Sequence, residues 1–269
     1  MWRNTYMATL SLRVIDKNEQ IICEKSGENF VDLVCLHEYE EGDCIEVTSS
    51  NKDIHLNLQI DDALGDSLVY LTEHTARYQI PFGEKRVNRS PKVFYGGKHY
   101  LYAEVAKEYE IYAYRNLALN PNDQHGDIFC YPHASANVET RGESVFAAQN
   151  AIDGVRANLS HGKWPYASWG INRQDDAEIK IDFGRKIRTD RIVLYTRADF
   201  PHDNWWTQVT LHFSDGSSID WQLEKSCLPH EITFPAKLIT WVTMDHMIKA
   251  DDPSPFPALT QIEVYGTDI

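Results

Sequence analysis

The side chains best suited to bind a ligand lie in one loop, residues 197–206, between two predicted strands. Arginine offers a planar fork of donors to hydroxyls or a carboxylate, and histidine, aspartate and asparagine supply further donors and acceptors. Sugar rings present apolar C–H faces that stack on flat aromatic rings. The composition of this loop therefore indicates a carbohydrate site. Its candidate contacts are Arg197, His202, Asp203, Asn204, Trp205 and Trp206.

Two of these candidates have a competing structural role. Neighbouring residues of an extended strand point to opposite faces, so Trp205 and Trp206 are expected to divide between surface and core. An ordinary solvated histidine remains the alternative for His202.

A second cluster of aromatic residues follows an acidic turn within residues 147–170. The turn contains Asp153, and Trp164, Tyr166 and Trp169 come shortly after it. Such a stretch is typical of a sugar-binding loop, and also of a structural calcium clip beside a core tryptophan. We expect Trp164 and Tyr166 to contact the ligand from the flank of this stretch.

Motifs of the common enzyme classes are absent from the sequence. It contains no G-x-S-x-G, no phosphate-binding lysine loop, no G-x-G-x-x-G and no H-E-x-x-H. Pairs of adjacent acids, such as Asp61 and Asp62, point apart on a strand and most simply mark solvated turns. The sequence thus favours binding over catalysis.

Composition and charge restrict the partners. The 269-residue chain is 42% hydrophobic and carries a formal net charge of −14. Nucleic-acid binding needs clustered lysine and arginine, so it is not expected, and an anionic membrane surface is disfavoured for the same reason. No stretch approaches the roughly 18 apolar residues of a membrane span. A protein partner remains open.

The N-terminus and the cysteines bear on location. The N-terminal residues lack a basic segment followed by an apolar one, so no secretory signal is expected and the cytoplasm is the default. The five cysteines share no metal-ligand spacing and are expected to be free thiols, with one disulfide in the first domain left open.

The elements that position these residues read as strands throughout. About eight short strands are predicted before Asn116, which is typical of a sandwich. Leu10, Leu12 and Val14 alternate along the first of them, and residues 108–117 are predicted as the last. We expect two antiparallel β-sandwich domains in tandem, over residues 1–119 and 134–269, joined by a linker over residues 120–133. One helix is predicted in the second domain, over residues 144–150.

The second half of the chain, residues 134–266, resembles the discoidin, or coagulation-factor type C, domain superfamily, and within it family 32-type carbohydrate-binding modules. The order and spacing of several segments carry the resemblance. They are residues 134–136, 150–154, 164–169, 178–184, 191–197, 213–216 and 262–266. The resemblance implies a galactose-binding-like jelly roll with its ligand site on loops at one end. The first domain is a candidate for the same broad group.

The resemblance also implies a structural metal, usually calcium, at the loop after the Asp-Gly turn. Calcium takes about 6–8 oxygen ligands, many of them carbonyls of a tight loop. Asp153, with Asn158 or Ser160, is the expected source. Relatives often complete the shell with a glutamate, and the matching position here is Gln261, with Glu263 two residues on. Without a metal, Asp153 would cap the turn through backbone N–H groups. The resemblance further places Trp169 in the core.

Three functions follow in order of preference. The first is non-catalytic binding of a glycan through loops at one end of the second jelly roll. The second is a glycan-processing enzyme whose site lies between the two domains, which requires two converging carboxylates. The third is a protein-interaction module.

Overall fold

A computed structural model describes residues 7–127, 129–198 and 204–269. Regular structure in these ranges is almost entirely antiparallel β-strand. The exceptions are one turn of α-helix and four 3₁₀ turns. They are α1 (Glu108–Ile111), Gly83–Lys85, Thr140–Gly142, Ser144–Phe146 and Ala148–Ile152. The predicted all-β class with antiparallel sandwiches is confirmed.

The N-terminal sandwich packs two sheets face to face. Its strands are β1 (Thr9–Ile15), β2 (Ile21–Glu28), β3 (Phe30–Cys35), β4 (Cys44–Ser49), β5 (Ile54–Gln59), β6 (Ser67–Leu71), β7 (Thr75–Gln79) and β8 (His99–Val105). One sheet has the order β2-β1-β4-β7, and the other runs β6-β5-β8-β3. Leu10, Leu12 and Val14 are fully buried between them, as their alternation predicts.

Two local predictions differ from the structure. Residues 108–117 do not form one strand, because the Glu110 carboxylate accepts a hydrogen bond from the Lys107 N–H at 2.7 Å and starts α1 instead. The helix predicted at residues 144–150 is two 3₁₀ turns, Ser144–Phe146 and Ala148–Ile152. Ala147 separates them with an extended backbone (φ −72°, ψ 152°).

The C-terminal domain is built on very long strands that bend at bulges. Its strands are β11 (His133–Ala136), β12 (Trp169–Gly170), β13 (Ile179–Thr196), β14 (Trp206–Phe213), β15 (Ser218–Gln222), β16 (His230–Lys249) and β17 (Ala258–Asp268). Their order is β12-β17-β13-β16-β14-β15, and β11 pairs with β13. The pairing of β13 with β16 breaks register between Asp182 and Ile187, where the strand bends.

The segment between the domains is part of both. Strand β9 (Arg115–Asn116) pairs with β17 of the second domain, and β10 (Cys130–Tyr131) returns to pair with β6 of the first. Leu117 and Ala118 lie in the core of the second domain, whereas Cys130 lies in the core of the first, so the chain crosses between the cores more than once.

The predicted linker carries buried polar groups that join the two sandwiches. Asn122 donates from Nδ2 to the Leu58 carbonyl and to Ser67 Oγ, at 3.3 and 3.2 Å. Asp123 is buried and lies 2.7 Å from His133 Nδ1. Burial raises the pKa of Asp123, while the His133 contact lowers it. Buried polar groups paired on both sides hold two domains in one arrangement.

The cysteines of the described chain are free thiols, and Sγ of Cys23 lies 2.7 Å from Sγ of Cys35. Among the described residues, no helix has the length and apolar character needed to cross a membrane.

Candidate functional site

The main candidate is a cavity of about 130 Å³ at one end of the C-terminal sandwich, which we call the arginine pocket. Its walls come from the 3₁₀ turns after residue 139, from the segment around β12, and from the loop before β17. The described residues that line it are Thr140, Arg141, Phe146, His161, Ser168, Gly170, Ile171, Asn172, Arg173, Arg197, Phe256, Pro257 and Ala258.

Arg197 forms the floor of the pocket. It follows the end of β13, and none of its side chain is exposed. Its guanidinium donates a hydrogen bond to the Tyr166 carbonyl, which fixes the plane of the fork. The Ser168 hydroxyl on the same wall is buried and has no hydrogen-bond partner among the described residues. A buried unpaired hydroxyl costs free energy, and a ligand that bonds to it removes that cost.

Two arginines form the rim, and each lies against an aromatic ring. Arg173 Cζ is 4.5 Å from the centroid of the Phe256 ring. Arg141 Cζ is 5.4 Å from the centroid of Phe146, and its guanidinium also pairs with Glu143 at 2.6 Å. Stacking on a ring holds a long side chain in place, and the bidentate pair with Glu143 holds Arg141 further. The rim is thus ordered before a ligand arrives.

The backbone of the rim adopts an unusual conformation. Arg141, Asn172 and Arg173 all have positive φ, at 54°, 50° and 63°. Residues other than glycine rarely adopt this left-handed conformation, and such strain concentrates at functional sites. Close packing below the rim adds a second constraint, since a Cβ at Gly170 would lie 2.6 Å from Thr140 Oγ1.

The charge of the pocket is opposite to that of the chain. Three guanidiniums and the His161 imidazole line it, while no carboxylate does so among the described residues. The chain as a whole carries a formal net charge of −14. Low-dielectric walls concentrate the field of such a cluster, so the pocket attracts anionic or strongly polar ligands.

The residues predicted in the 197–206 loop separate in the structure. Arg197 lies in the pocket, and His202 and Asp203 fall outside the described residues. Asn204 is buried and donates to the Ala250 carbonyl at 3.0 Å, which occupies its amide. Trp205 is half-buried beneath Lys225, whose Nζ lies 4.6 Å from the ring centroid.

Trp206 is not a ligand contact, which corrects its assignment from sequence. Its side chain is 1% exposed and packs in the core of the C-terminal sandwich. It begins β14, where alternation turns it inward and leaves Trp205 outward. The predicted division of the pair is correct, and Trp206 is its core member. Trp169 is fully buried, as expected.

Trp164 is separate from the arginine pocket, and the Tyr166 side chain does not line it. Trp164 lines a groove of about 370 Å³ between the domains, together with Tyr95 and Arg86. Its backbone N–H donates to the Val87 carbonyl of the first domain at 2.8 Å. Tyr166 contributes to the pocket through its carbonyl, which accepts from Arg197. Among the described residues, the predicted sugar contacts Arg197 and Trp164 therefore line different cavities.

The predicted calcium ligands make contacts of another kind. Gln261 is buried, and its Nε2 donates to Asp153 Oδ1 at 2.7 Å and to the Asn150 carbonyl. Its Oε1 accepts from the Gly154 N–H at 2.9 Å. The Gln261 amide thus forms hydrogen bonds to groups of the turn at the place where the calcium ion was expected to bind oxygen atoms. Burial raises the pKa of Asp153 to about 7, which opposes a full negative charge there.

The remaining predicted ligands have other partners. Glu263 is buried, and its carboxylate accepts from Arg156 Nε at 2.7 Å and from the Tyr265 hydroxyl at 3.0 Å. Asn158 donates from Nδ2 to the Cys227 carbonyl at 2.7 Å. Ser160 is half-buried in the following loop. A calcium shell requires several oxygen atoms that point at the ion. Here the Gln261 amide donates to Asp153, and Arg156 neutralises Glu263, so these residues do not fit such a shell.

A single substitution tests this conclusion. In Gln261→Glu the new carboxylate cannot donate to Asp153 or Asn150, and it places like charges together. We expect a loss of about 3 kcal/mol or more without calcium, and recovery of thermal stability in millimolar calcium chloride. The melting temperature of the unmodified chain should not respond to calcium or to a chelator.

The control is Gln222→Glu, the same change on the exposed end of β15. It removes only an exposed hydrogen bond, from Gln222 Nε2 to Gln208, so it should change stability little and leave the calcium response unchanged. A melting temperature of the unmodified chain that rises with calcium would show that the ion binds this turn after all.

Sequence reasoning missed most of the arginine pocket. Arg141 and Arg173 each sit in a tight turn, beside Gly142 and Asn172, which is a signal for positive φ. Phe256 lies in the proline-rich segment before β17. These three segments are distant in sequence, so only the fold shows that they share a cavity.

One cavity between the domains bears on the enzyme hypothesis. This cavity, of about 400 Å³, is lined by one carboxylate among the described residues, Asp153, beside Arg89. Glycoside hydrolysis usually needs two carboxylates on either side of the scissile bond. The described part of this cavity therefore lacks the arrangement that the enzyme hypothesis requires.

Comparison with known proteins places the match in the C-terminal half. Residues 131–252 match a family model described as a domain of unknown function, DUF7402. No curated protein matches the chain.

Solved structures of carbohydrate-binding modules are similar to this chain. They include chitosan-binding module 1 of a chitosanase/glucanase from Paenibacillus sp. IK-5, with 21% identity, 57% of this chain and 100% of the other covered, and a TM-score of 0.39. The family 32 module of C. perfringens NanJ, in complex with galactose, is 19% identical to this chain, with a TM-score of 0.38. The match covers 49% of this chain and 91% of the module. The lectin-binding domain of lectinolysin, complexed with Lewis b, is 18% identical to this chain, with a TM-score of 0.44. The match covers 58% of this chain and 99% of that domain. Family 32 and lectin modules are thus among its structural neighbours, as the sequence resemblance predicted.

Proposed function

We propose that this chain is a non-catalytic glycan-binding protein and that the arginine pocket holds the terminal sugar. The observation that carries the proposal is the pocket itself: a preformed cavity with a buried guanidinium at its floor and two aromatic-backed guanidiniums at its rim. At about 130 Å³ it is smaller than the cavities of roughly 300–1,000 Å³ that enclose drug-sized ligands. It suits one sugar ring at the end of a chain.

The polar groups of the pocket match those of a pyranose. At the floor of the pocket the Arg197 guanidinium can donate to sugar hydroxyls, and the Ser168 hydroxyl can donate or accept. Phe146 and Phe256 offer apolar surface to the C–H groups of the sugar. No described carboxylate is available to act as an acid or base, which supports binding without hydrolysis.

The charge of the pocket points to an acidic sugar. Arginine binds a carboxylate or sulfate through paired, charge-assisted hydrogen bonds, and such bonds are worth about 1.5–3 kcal/mol each. A carboxylate or sulfate group of the ligand would form charge-assisted hydrogen bonds with these guanidiniums that a neutral sugar cannot form. We therefore propose that the preferred ligand carries a carboxylate or sulfate group.

Calorimetric titration with paired sugars tests both levels of the proposal. Galacturonic and glucuronic acid should bind at least about tenfold more tightly than galactose and glucose, since tenfold corresponds to about 1.4 kcal/mol. Comparing the affinity for galactose 6-sulfate with that for galacturonic acid shows whether the pocket prefers a sulfate or a carboxylate group. Added salt should weaken the acidic sugars more than the neutral ones. Tighter binding of a neutral sugar would refute the acidic preference alone, whereas no binding to any sugar on a broad glycan array would refute glycan binding.

A further inference from the structure

A second cluster of side chains lies on the sheet, away from the arginine pocket, where β14 pairs with β16. It consists of His212, Asp245 and His246, whose ligand-type atoms all lie within 4.8 Å of one another. None of the three lines the arginine pocket. The sequence gives no warning of it, because His212 is more than 30 residues from its partners.

A β-bulge brings the three side chains together. Thr210 pairs with Asp245, and Gln208 pairs with Ile248. Between these two pairs β16 contains one residue more than β14, which is a β-bulge. His246 lies in the bulge with φ 44°, in the left-handed region. Adjacent residues of a regular strand would face opposite sides, and a bulge re-aims one of them. Asp245 and His246 consequently meet, with Oδ1 and Nδ1 2.6 Å apart.

The geometry is close to a metal-binding one. His212 Nε2 lies 3.1 Å from Asp245 Oδ1, and the imidazole rings of His212 and His246 are 5.8 Å apart between centroids. With zinc bonds of about 2.0–2.2 Å, the ligand atoms of a tetrahedral site lie roughly 3.3 Å apart. The edge from His212 Nε2 to Asp245 Oδ1 is already close to this length, and His246, whose side chain is 75% exposed, can rotate to adjust the others.

The Nε2 atom of His212 could bind an ion. His212 Nε2 is buried and makes no hydrogen bond of acceptable geometry among the described residues, despite its proximity to Asp245. A buried imidazole nitrogen without such a bond needs a partner, and a metal ion provides one.

The surroundings suit a cation. His212 and His246 open onto a shallow cavity of about 530 Å³ that Asp175 and Asp220 also line. No lysine or arginine lines it among the described residues, and Lys249 Nζ lies 3.8 Å from Asp175. Asp220 is held in place by a 2.8 Å hydrogen bond from the Thr210 hydroxyl. Two imidazoles and one carboxylate, with an open side for water or a further carboxylate, are a ligand set typical of zinc.

We propose that His212, Asp245 and His246 bind one zinc ion on the face of the β14–β16 pair. This site is independent of glycan binding and of the predicted calcium turn. The ion would join two strands across the bulge.

Another group of acids and a histidine, Asp61, Asp62 and His99, carries no such proposal. Asp61 already accepts from the Ala63 and Phe94 N–H groups, both at 2.9 Å, and its side chain is fully buried.

The test is calorimetric titration of the full chain, first stripped with a chelator, with zinc chloride near neutral pH. One zinc per chain is expected, with at least about tenfold weaker binding in His212→Ala, Asp245→Asn and His246→Ala. His125→Ala, at an exposed histidine beside the single carboxylate of Glu139, should bind as the unmodified chain does. Cobalt should give the visible absorption of a tetrahedral site, which the three variants lose.

His246 is largely exposed, so its variant should fold even where the others do not, as circular dichroism would show. The proposal is wrong if the unmodified chain binds no zinc up to millimolar concentration. It is also wrong if folded His246→Ala binds zinc with unchanged affinity and stoichiometry.

Discussion

Replacing Arg197 with alanine should reduce the affinity for an acidic sugar by about 10- to 100-fold. The guanidinium forms the floor of the arginine pocket, is wholly buried, and is oriented by the Tyr166 carbonyl. Loss of one or two charge-assisted hydrogen bonds, at about 1.5–3 kcal/mol each, accounts for a change of this size. Arg197→Lys keeps the charge but loses the planar fork, and should recover only part of the affinity. Titration calorimetry measures all three forms.

Two further variants separate binding from folding. Arg188→Ala removes an exposed arginine from β13 outside the pocket and should bind the sugar normally. Arg173→Ala removes an exposed rim residue, so it should keep the fold and weaken binding by severalfold. Normal affinity in both folded Arg197→Ala and folded Arg173→Ala would place the ligand elsewhere on the protein.

Trp206→Ala should lower the free energy of unfolding by about 3–5 kcal/mol, the usual range for a buried large aromatic residue. The side chain is 1% exposed and packs with Val209, Leu211 and the other core residues of the C-terminal sandwich. Truncation leaves a cavity between sheets that are held rigid by long strands. Urea denaturation followed by circular dichroism gives the value.

Trp205→Ala is the matched comparison, since it removes the same side chain one residue earlier. Trp205 is half-buried and lies beneath Lys225, so its loss should cost about 1–2 kcal/mol. Equal losses in the two variants would contradict the assignment of Trp206 to the core and Trp205 to the surface.

The sequence predicts the fold well because its strands alternate. Burial of every second residue is a local signal, and Leu10, Leu12 and Val14 show it without knowledge of the partner strands. Local competition explains the errors: Glu110 starts a helical turn in a strand-like segment, and Ala147 interrupts the predicted helix.

The candidate site is less predictable because it is not local. Arg197 could be chosen from its place after a strand, but Arg141, Arg173 and Phe256 are brought to it only by the bends of the chain. The same holds for the zinc proposal, since a single bulge at His246 decides whether three ligands meet. Gln261 shows the opposite case: the sequence itself has an amide where the resemblance leads us to expect a glutamate, and the structure gives that amide a bonding role.

The most direct measurement is a crystal structure of the chain soaked with galacturonic acid. The account predicts one sugar in the arginine pocket, with its carboxylate within hydrogen-bond distance of Arg197 and its ring between Phe146 and Phe256. A sugar bound instead in the Trp164 groove, with the arginine pocket empty, would contradict it.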